Sequence, residues 1–455
     1  MCTAKSLAAL PLLSPLCFVT GTSRGTMPLL LRRLAGAVSA PLRRPLSTAR
    51  SRPPWAMVNI EAALDASGVP SPGGRARASF DLNAAPRASR LSVPARFVDP
   101  RGYNTDFLVG IVRGASCDGL LLLEYLDTRQ CRRMHELDAG GGVERDPTLF
   151  VCNPLSGQLF RLPAPDTDAA KMVTPFGLLT QSPEGSHGGP PDRYVVAQLS
   201  LREGDNRIVV RRYLSETGQW EERPMVGVAG PQDAERRTLV DHEVLAFGDR
   251  LWWVDVTWGV CSVDPFSDRP ECRFVELPED CVLPAPHVGN LAVSLSMSRY
   301  RRMGFSEGKL RFVHLGKKDK KVIIGSFSLD AESWSWTLDH TIGFQIPETS
   351  PDEFTMPLDH HRPWIAAIDP FKANVLYVQH RAAVVALDMA KAEEIWRSPL
   401  PEKIACQMER HSSLFHPCVL PTWLASSYIP GTPASDKTNF KGKTLAEMLV
   451  RVDRG

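Results

Sequence analysis

Ile208-Val209-Val210-Arg211-Arg212-Tyr213-Leu214 runs directly into Ser215-Glu216-Thr217-Gly218-Gln219-Trp220, and this succession decides how the chain folds. The first seven positions are rich in β-branched residues, which suit a pleated, half-buried strand. The next four are turn formers, and an aromatic follows. The same succession recurs along the chain. Leu149–Cys152 leads into Asn153-Pro154-Leu155-Ser156-Gly157, and Leu251–Asp255 leads through Gly259–Val263 into Asp264-Pro265-Phe266-Ser267-Asp268. Val322–Leu329 leads into Asp330-Ala331-Glu332-Ser333-Trp334, and Val384–Leu387 into Asp388-Met389-Ala390-Lys391 with Trp396 beyond. The turns begin at residues 153, 215, 264, 330 and 388, so the steps are 62, 49, 66 and 58 residues.

Repeats of roughly 40–60 residues built from short strands point to a propeller, whose blades are four-stranded antiparallel sheets. One blade cannot bury both of its faces, so neighbours complete the core, and the aromatic after each turn is expected to pack between blades. A β-sandwich with similar hairpins is the alternative. The expected fold is therefore all-β, mostly antiparallel and β-propeller-like. Leu108–Val112 and Leu120–Tyr125 flank the turn Gly114-Ala115-Ser116-Cys117-Asp118-Gly119 as a further hairpin. Ser182–Pro191 reads as an exposed loop, and Leu315–Lys321, with four lysines, as a hairpin tip. A short amphipathic helix is expected near Thr444–Val452.

Composition is that of a globular protein, with 43% hydrophobic and 23% charged residues among 455. The 38 prolines and 33 glycines break regular segments often and favour short strands over long helices. Charge is unevenly placed. Residues 1–60 carry eight Lys and Arg and no acid, the first being Glu61; the rest holds 45 basic against 51 acidic residues, a net of −6. A mildly acidic body lacks the basic footprint of nucleic-acid binding. Met27–Arg52 reads MPLLLRRLAGAVSAPLRRPLSTARSR, Arg-rich and acid-free, with Leu30, Leu31, Leu34 and Val38 able to share one helical face. That is the composition of a transit peptide, with a disordered basic tail as the alternative. Arg44-Pro45-Leu46 before Ser47 is similar to a mitochondrial cleavage pattern. The expected organisation is a cleaved leader at 1–46, a linker at 47–75 with a short helix at Ile60–Ala66, a β-propeller-like domain at 76–430, and a polar tail at 431–455. The expected location is the mitochondrion, with the plastid as the alternative. No stretch has the roughly 18 uninterrupted apolar residues of a membrane span.

Few residues advertise chemistry. Ten cysteines include no C-x-x-C pair. Cys406, His411, His416 and Cys418 cluster, but their spacing matches no familiar zinc module, and free, partly buried thiols in a reducing compartment are the expectation. His360-His361 would point to opposite faces of a strand. Asp255, Asp264 and Asp268 suit turn capping better than paired-carboxylate catalysis. Trp252 and Trp253 are expected on opposite faces of one strand, in core packing. Gly21–Gly25 has the letters of a nucleophile elbow without its strand and helix, and Gly442-Lys443-Thr444 lacks the first glycine of a phosphate loop, Lys437 standing in its place. No catalytic, cofactor-binding or metal-binding residue is therefore assigned, and no cofactor is expected.

Gly248-Asp249-Arg250-Leu251-Trp252-Trp253-Val254-Asp255, with Gly259-Val260, Asp264-Pro265-Phe266 and Phe274–Pro278, resembles a plant family called domain of unknown function 1618. Ala373–Tyr377 and Val385–Asp388 resemble its later strands. Ser79–Val93 and Ile111–Glu124 resemble its N-terminal part. Cys152–Gly157 with Leu162-Pro163 also resembles F-box-associated and kelch-type repeats, although no F-box is visible before residue 110. The resemblance implies a β-rich, propeller-like body without an established activity. The expected function is a non-catalytic protein-interaction scaffold with an unknown protein partner; the alternative is a propeller-type hydrolase or lyase whose site the sequence does not display.

Overall fold

The computed structural model describes residues 52–65, 77–100, 105–128, 147–165, 170–172, 174–183, 189–202, 208–229, 243–283, 297–318, 321–330, 332–344, 363–409, 411 and 413–431. All belong to the compact unit Arg52–Gly455. The expected leader, the C-terminal helix, His360-His361 and the Gly442–Thr444 stretch lie outside the described residues.

Three N-terminal strands come first: β1 (Trp55–Asp65), β2 (Ser79–Asp81) and β3 (Ala88–Pro94). Five sheets follow in chain order. The first is the meander β4 (Leu108–Ala115), β5 (Leu121–Asp127), β6 (Thr148–Asn153), β7 (Gln158–Arg161). The second holds β8 (Ala170–Met172), β9 (Gly177–Gln181), β10 (Arg193–Arg202), β11 (Ile208–Leu214) and β12 (Gln219–Pro224); β8 and β9 share one edge of β10. The third holds β13 (Val226–Ala229), β14 (Glu243–Phe247), β15 (Arg250–Asp255), β16 (Gly259–Val263) and β17 (Glu271–Glu276). The fourth is β18 (Arg301–Ser306), β19 (Lys309–Lys318), β20 (Lys321–Leu329), β21 (Trp336–Phe344). The fifth is β22 (Trp364–Ile368), β23 (Val375–His380), β24 (Ala383–Asp388), β25 (Glu393–Pro399). The last strand, β26 (Phe415–Val419), pairs antiparallel with β1, Val58 lying opposite His416, and builds a sixth sheet in the order β26-β1-β3-β2. This sheet meets the first through one residue pair, Glu61 opposite Ile111.

Alternation along each central strand distributes its side chains between two neighbouring sheets. On β15, Leu251 and Trp253 pack with Leu179, Val195 and Leu199 of the second sheet. Trp252 and Val254 pack with Met303, Leu310 and Phe312 of the fourth. On β23, Leu376 and Val378 join Val313 and Ile324, whereas Tyr377 joins Trp55, Met57 and Phe415 of the sixth sheet. A further core unites Val58 and Leu91 of the sixth sheet with Leu123 of the first and Val196 of the second. Each sheet therefore faces the next, and the sixth returns to the first. Among the described residues that is a mostly antiparallel β-propeller-like arrangement of six blades, with β1–β3 and β13–β17 as parallel pairs. Burying one large apolar side chain contributes about 1.5–3 kcal/mol, so these interfaces dominate the stability.

The five turns of the repeat all join the third and fourth strands of their blades. In four of them the Asn or Asp side chain accepts backbone N–H groups: Asn153 from Leu155 and Ser156, Asp264 from Phe266, Asp330 from Glu332 and Ser333, and Asp388 from Ala390 and Lys391.

Several expectations are corrected. Ile60–Ala66 is not a helix: residues 55–65 form strand β1, part of the propeller rather than a linker. Trp55-Ala56-Met57-Val58-Asn59-Ile60-Glu61-Ala62-Ala63-Leu64-Asp65 contains good helix formers, but pairing on both edges, with β26 and β3, overrides that preference. The lysine-rich tip is shorter than Leu315–Lys321, since β19 continues to Lys318 and β20 begins at Lys321. Cys261 and Cys272 form a disulfide between β16 and β17, Cα atoms 6.1 Å apart, in place of two free thiols. The aromatics after the turns do not all pack inward: Trp334 stacks on Trp252, but Trp396 is 61% exposed.

Candidate functional site at the hub

The edge strands β4, β9, β14, β18, β22 and β26 meet where the blades converge. Between them lies a cavity of about 60 Å³, lined by Ala115, Glu243, Ala246, Arg302, Ile368 and His416 among others. A volume of that size holds a few waters. Pockets that enclose a metabolite run to roughly 300–1,000 Å³.

Arg302 is the centre of the hub's chemistry. Its guanidinium is buried and donates to Ala366 O, to Phe415 O at 2.6 Å and to Glu243 Oε1 at 3.1 Å. Ala366 is the extra residue at a bulge in β22, between Ile365 and Ala367, so its carbonyl is free of the ladder and available to Arg302. Phe415 opens β26. One side chain of β18 thus joins three neighbouring blade edges. Charge-assisted bonds of this kind are the stronger class in a protein interior.

His416 sits beside this pair, its Nδ1 3.6 Å from Glu243 Oε1 and its ring bonded to the backbone at Val112. Burial pushes its pKa down from 6.5 to about 4; Arg302 and Arg113 push the same way and Glu243 opposes them. The imidazole is neutral at ordinary pH. Arg113, the extra residue at a bulge in β4, pairs with Glu124 on β5. A neutral imidazole near a carboxylate has the form of a general base. Among the described lining residues none is Ser, Thr, Cys or Tyr.

The residues singled out in the sequence are dispersed. His411 Nε2 lies 3.1 Å from Glu61 Oε1, in a network where Gln407 donates to Glu61 and Asn59 donates to Gln407. Cys418 is buried with its Sγ near Gly119 O, burial pushing the thiol up to about 12, and Cys406 is exposed. The Cys/His cluster is thus pulled apart, and among the described residues no group of three or more His, Cys, Asp or Glu could hold a metal ion. Asp255 accepts from Thr257 N at 2.8 Å and Thr257 Oγ1 at 2.6 Å, a turn cap. Asp268 is exposed beside Arg212, whose buried guanidinium binds Pro265 O and Ser267 O and ties the second blade to the third. Glu243 and Arg302 escaped the sequence reading. Their signal was Arg301-Arg302 opening the apolar strand Met303-Gly304-Phe305, charge where a buried edge demands partners.

No curated protein gives a significant match. Among solved structures, a Lactobacillus plantarum protein is 14% identical over 64% of this chain and 71% of its own, with a TM-score of 0.31. The β-propeller domain of Cps50 (Swd1) from Myceliophteria thermophila is 9% identical over 65% and 83%, TM-score 0.27. The WD40 domain of SCAP from fission yeast is 10% identical over 64% and 63%, TM-score 0.27. The family model described as protein of unknown function (DUF1618) matches residues 253–377, from Trp253 on β15 to Tyr377 on β23, and supports that family for this chain.

Proposed function

We propose that this protein is a non-catalytic interaction scaffold of mitochondria, its propeller presenting a rigid surface to a protein partner. The observation that carries this reading is the small hub cavity, filled by strand-to-strand contacts of Arg302. Propeller ligands commonly enter along the axis, yet the cavity that the described residues line there measures about 60 Å³, and Arg302 is committed to strand carbonyls and Glu243. The outer strand β25, by contrast, displays Ile395 and Trp396, 51% and 61% exposed. Exposed aromatic residues are the usual anchors of protein interfaces. The mitochondrial part rests on the Arg-rich, acid-free composition of residues 27–52. No helix among the described residues is long and apolar enough to cross a membrane.

The test is affinity purification of the tagged full chain from isolated mitochondria. A near-stoichiometric protein that is lost with Trp396→Ala is the expected result. A fusion of residues 1–60 that stays in the cytosol removes the location. A partnerless protein that turns over a compound in a metabolite screen removes the scaffold and leaves the propeller enzyme.

A further inference from the structure

We propose that the hub is an acid-released clasp, in which protonation of His416 frees β26, the strand that closes the ring, before the other blades open. Charge at the hub is balanced without His416: Glu243 pairs with Arg302, and Glu124 with Arg113. His416 is the fifth ionisable group there, buried, and the carboxylate beside it, Glu243 at 3.6 Å, is already paired with Arg302. The groups facing it are Glu243 of β14, Arg302 of β18 and Arg113 of β4, with Glu124 of β5 behind Arg113. A proton on the imidazole leaves an excess positive charge between two guanidinium groups in a cavity that admits only a few waters.

The relief of that charge is local to one strand. His416 belongs to β26, and Arg302 holds the same strand through Phe415 O. Moving β26 outward separates His416 from both arginines and hydrates it. The cost falls on its pairing with β1, from Trp55–Val419 to Asn59–Phe415. In the closed state the imidazole titrates near pH 4 and in a released strand near its ordinary 6.5. The closed ring is therefore favoured fully above pH 6.5, and that advantage is lost as the pH falls towards 4. The pKa difference amounts to an increase in the opening constant on the order of a hundredfold.

Amide hydrogen exchange of the full chain at several pH values between 7.5 and 4.5, corrected for intrinsic rates, tests the clasp. The expected result is that protection in 415–419 and 55–59 falls with pH while β15 and β23 stay protected; β19 is no control, because it carries His314, a second histidine held down to about 4 by burial and Arg301. His416→Gln, which keeps a polar side chain but cannot charge, is expected to abolish that dependence. Protection in 415–419 that is independent of pH, or that vanishes together with every blade, overturns the proposal. If the variant does not fold, the wild-type profile alone decides.

Discussion

Arg302 shows how a single side chain can replace backbone pairing. Inner strands of neighbouring blades do not form ladders with one another, so their inward carbonyls need other donors. Arg302 supplies them to Ala366 and Phe415 and carries Glu243 as its counter-ion. Arg302→Met removes the donors and leaves Glu243 buried beside a neutral chain. The expected loss is about 3 kcal/mol or more in chemical denaturation. Adding Glu243→Gln should recover part of it, because the two sites share one interaction; strictly additive losses would show that the pair is uncoupled. Individual residues were unevenly legible. Asn153, Asp264, Asp330 and Asp388 announced their turns because capping is local chemistry. Glu243 and Arg302 lie 59 residues apart, and nothing local says that they meet. His411 and His416 pointed the wrong way: close in sequence, they serve different carboxylates, Glu61 and Glu243.

Strands carry the second scale. Alternation on β15 gives Trp253 to the core between the second and third blades and Trp252 to that between the third and fourth. Both are nearly inaccessible, and Trp253→Ala is expected to cost about 3–5 kcal/mol. On β25 the pleat leads outward, with Ile395 as the extra residue at a bulge opposite Ala386 and Leu387. Trp396→Ala is expected to leave stability within about 0.5 kcal/mol of wild type. Thermal denaturation of the two variants side by side checks the contrast; a large loss for Trp396→Ala would mean that this tryptophan packs within the fold rather than standing ready for a partner. Five blades were legible at this scale, because each contains one complete strand–turn–strand unit, four of them with a side-chain-capped turn. The second blade's split inner edge, shared by β8 and β9, was not, since two short strands of three and five residues carry little periodicity.

At the scale of the whole molecule, the sixth blade draws β26 from one part of the chain and β1, β2 and β3 from another. No repeat could reveal it, because its strands come from both ends of the described chain and its outer hairpin, β2 to β3, runs in the reverse order to those of the other blades. The Pro- and Gly-rich stretch around it read as a linker for the same reason. The consequence is that the propeller cannot begin at residue 76. Trp55 and Met57 fill the core between the fifth and sixth blades, Ala56, Val58 and Ala62 that between the sixth and first, and β1 is the only described partner of β26. Without β1, the fifth and first blades would each expose an apolar face, and β26 would have no ladder. A chain starting at Ser47 is therefore expected to fold with the same unfolding midpoint as the full chain. A chain starting at residue 67 is expected to lose the cooperative transition or to aggregate, since it lacks β1, whose side chains fill the cores on both sides of the last blade. Circular dichroism melts of the two truncations decide it. A chain from residue 67 that melts like one from Ser47 would show that five blades stand without the sixth, and that β1 decorates the ring rather than closing it.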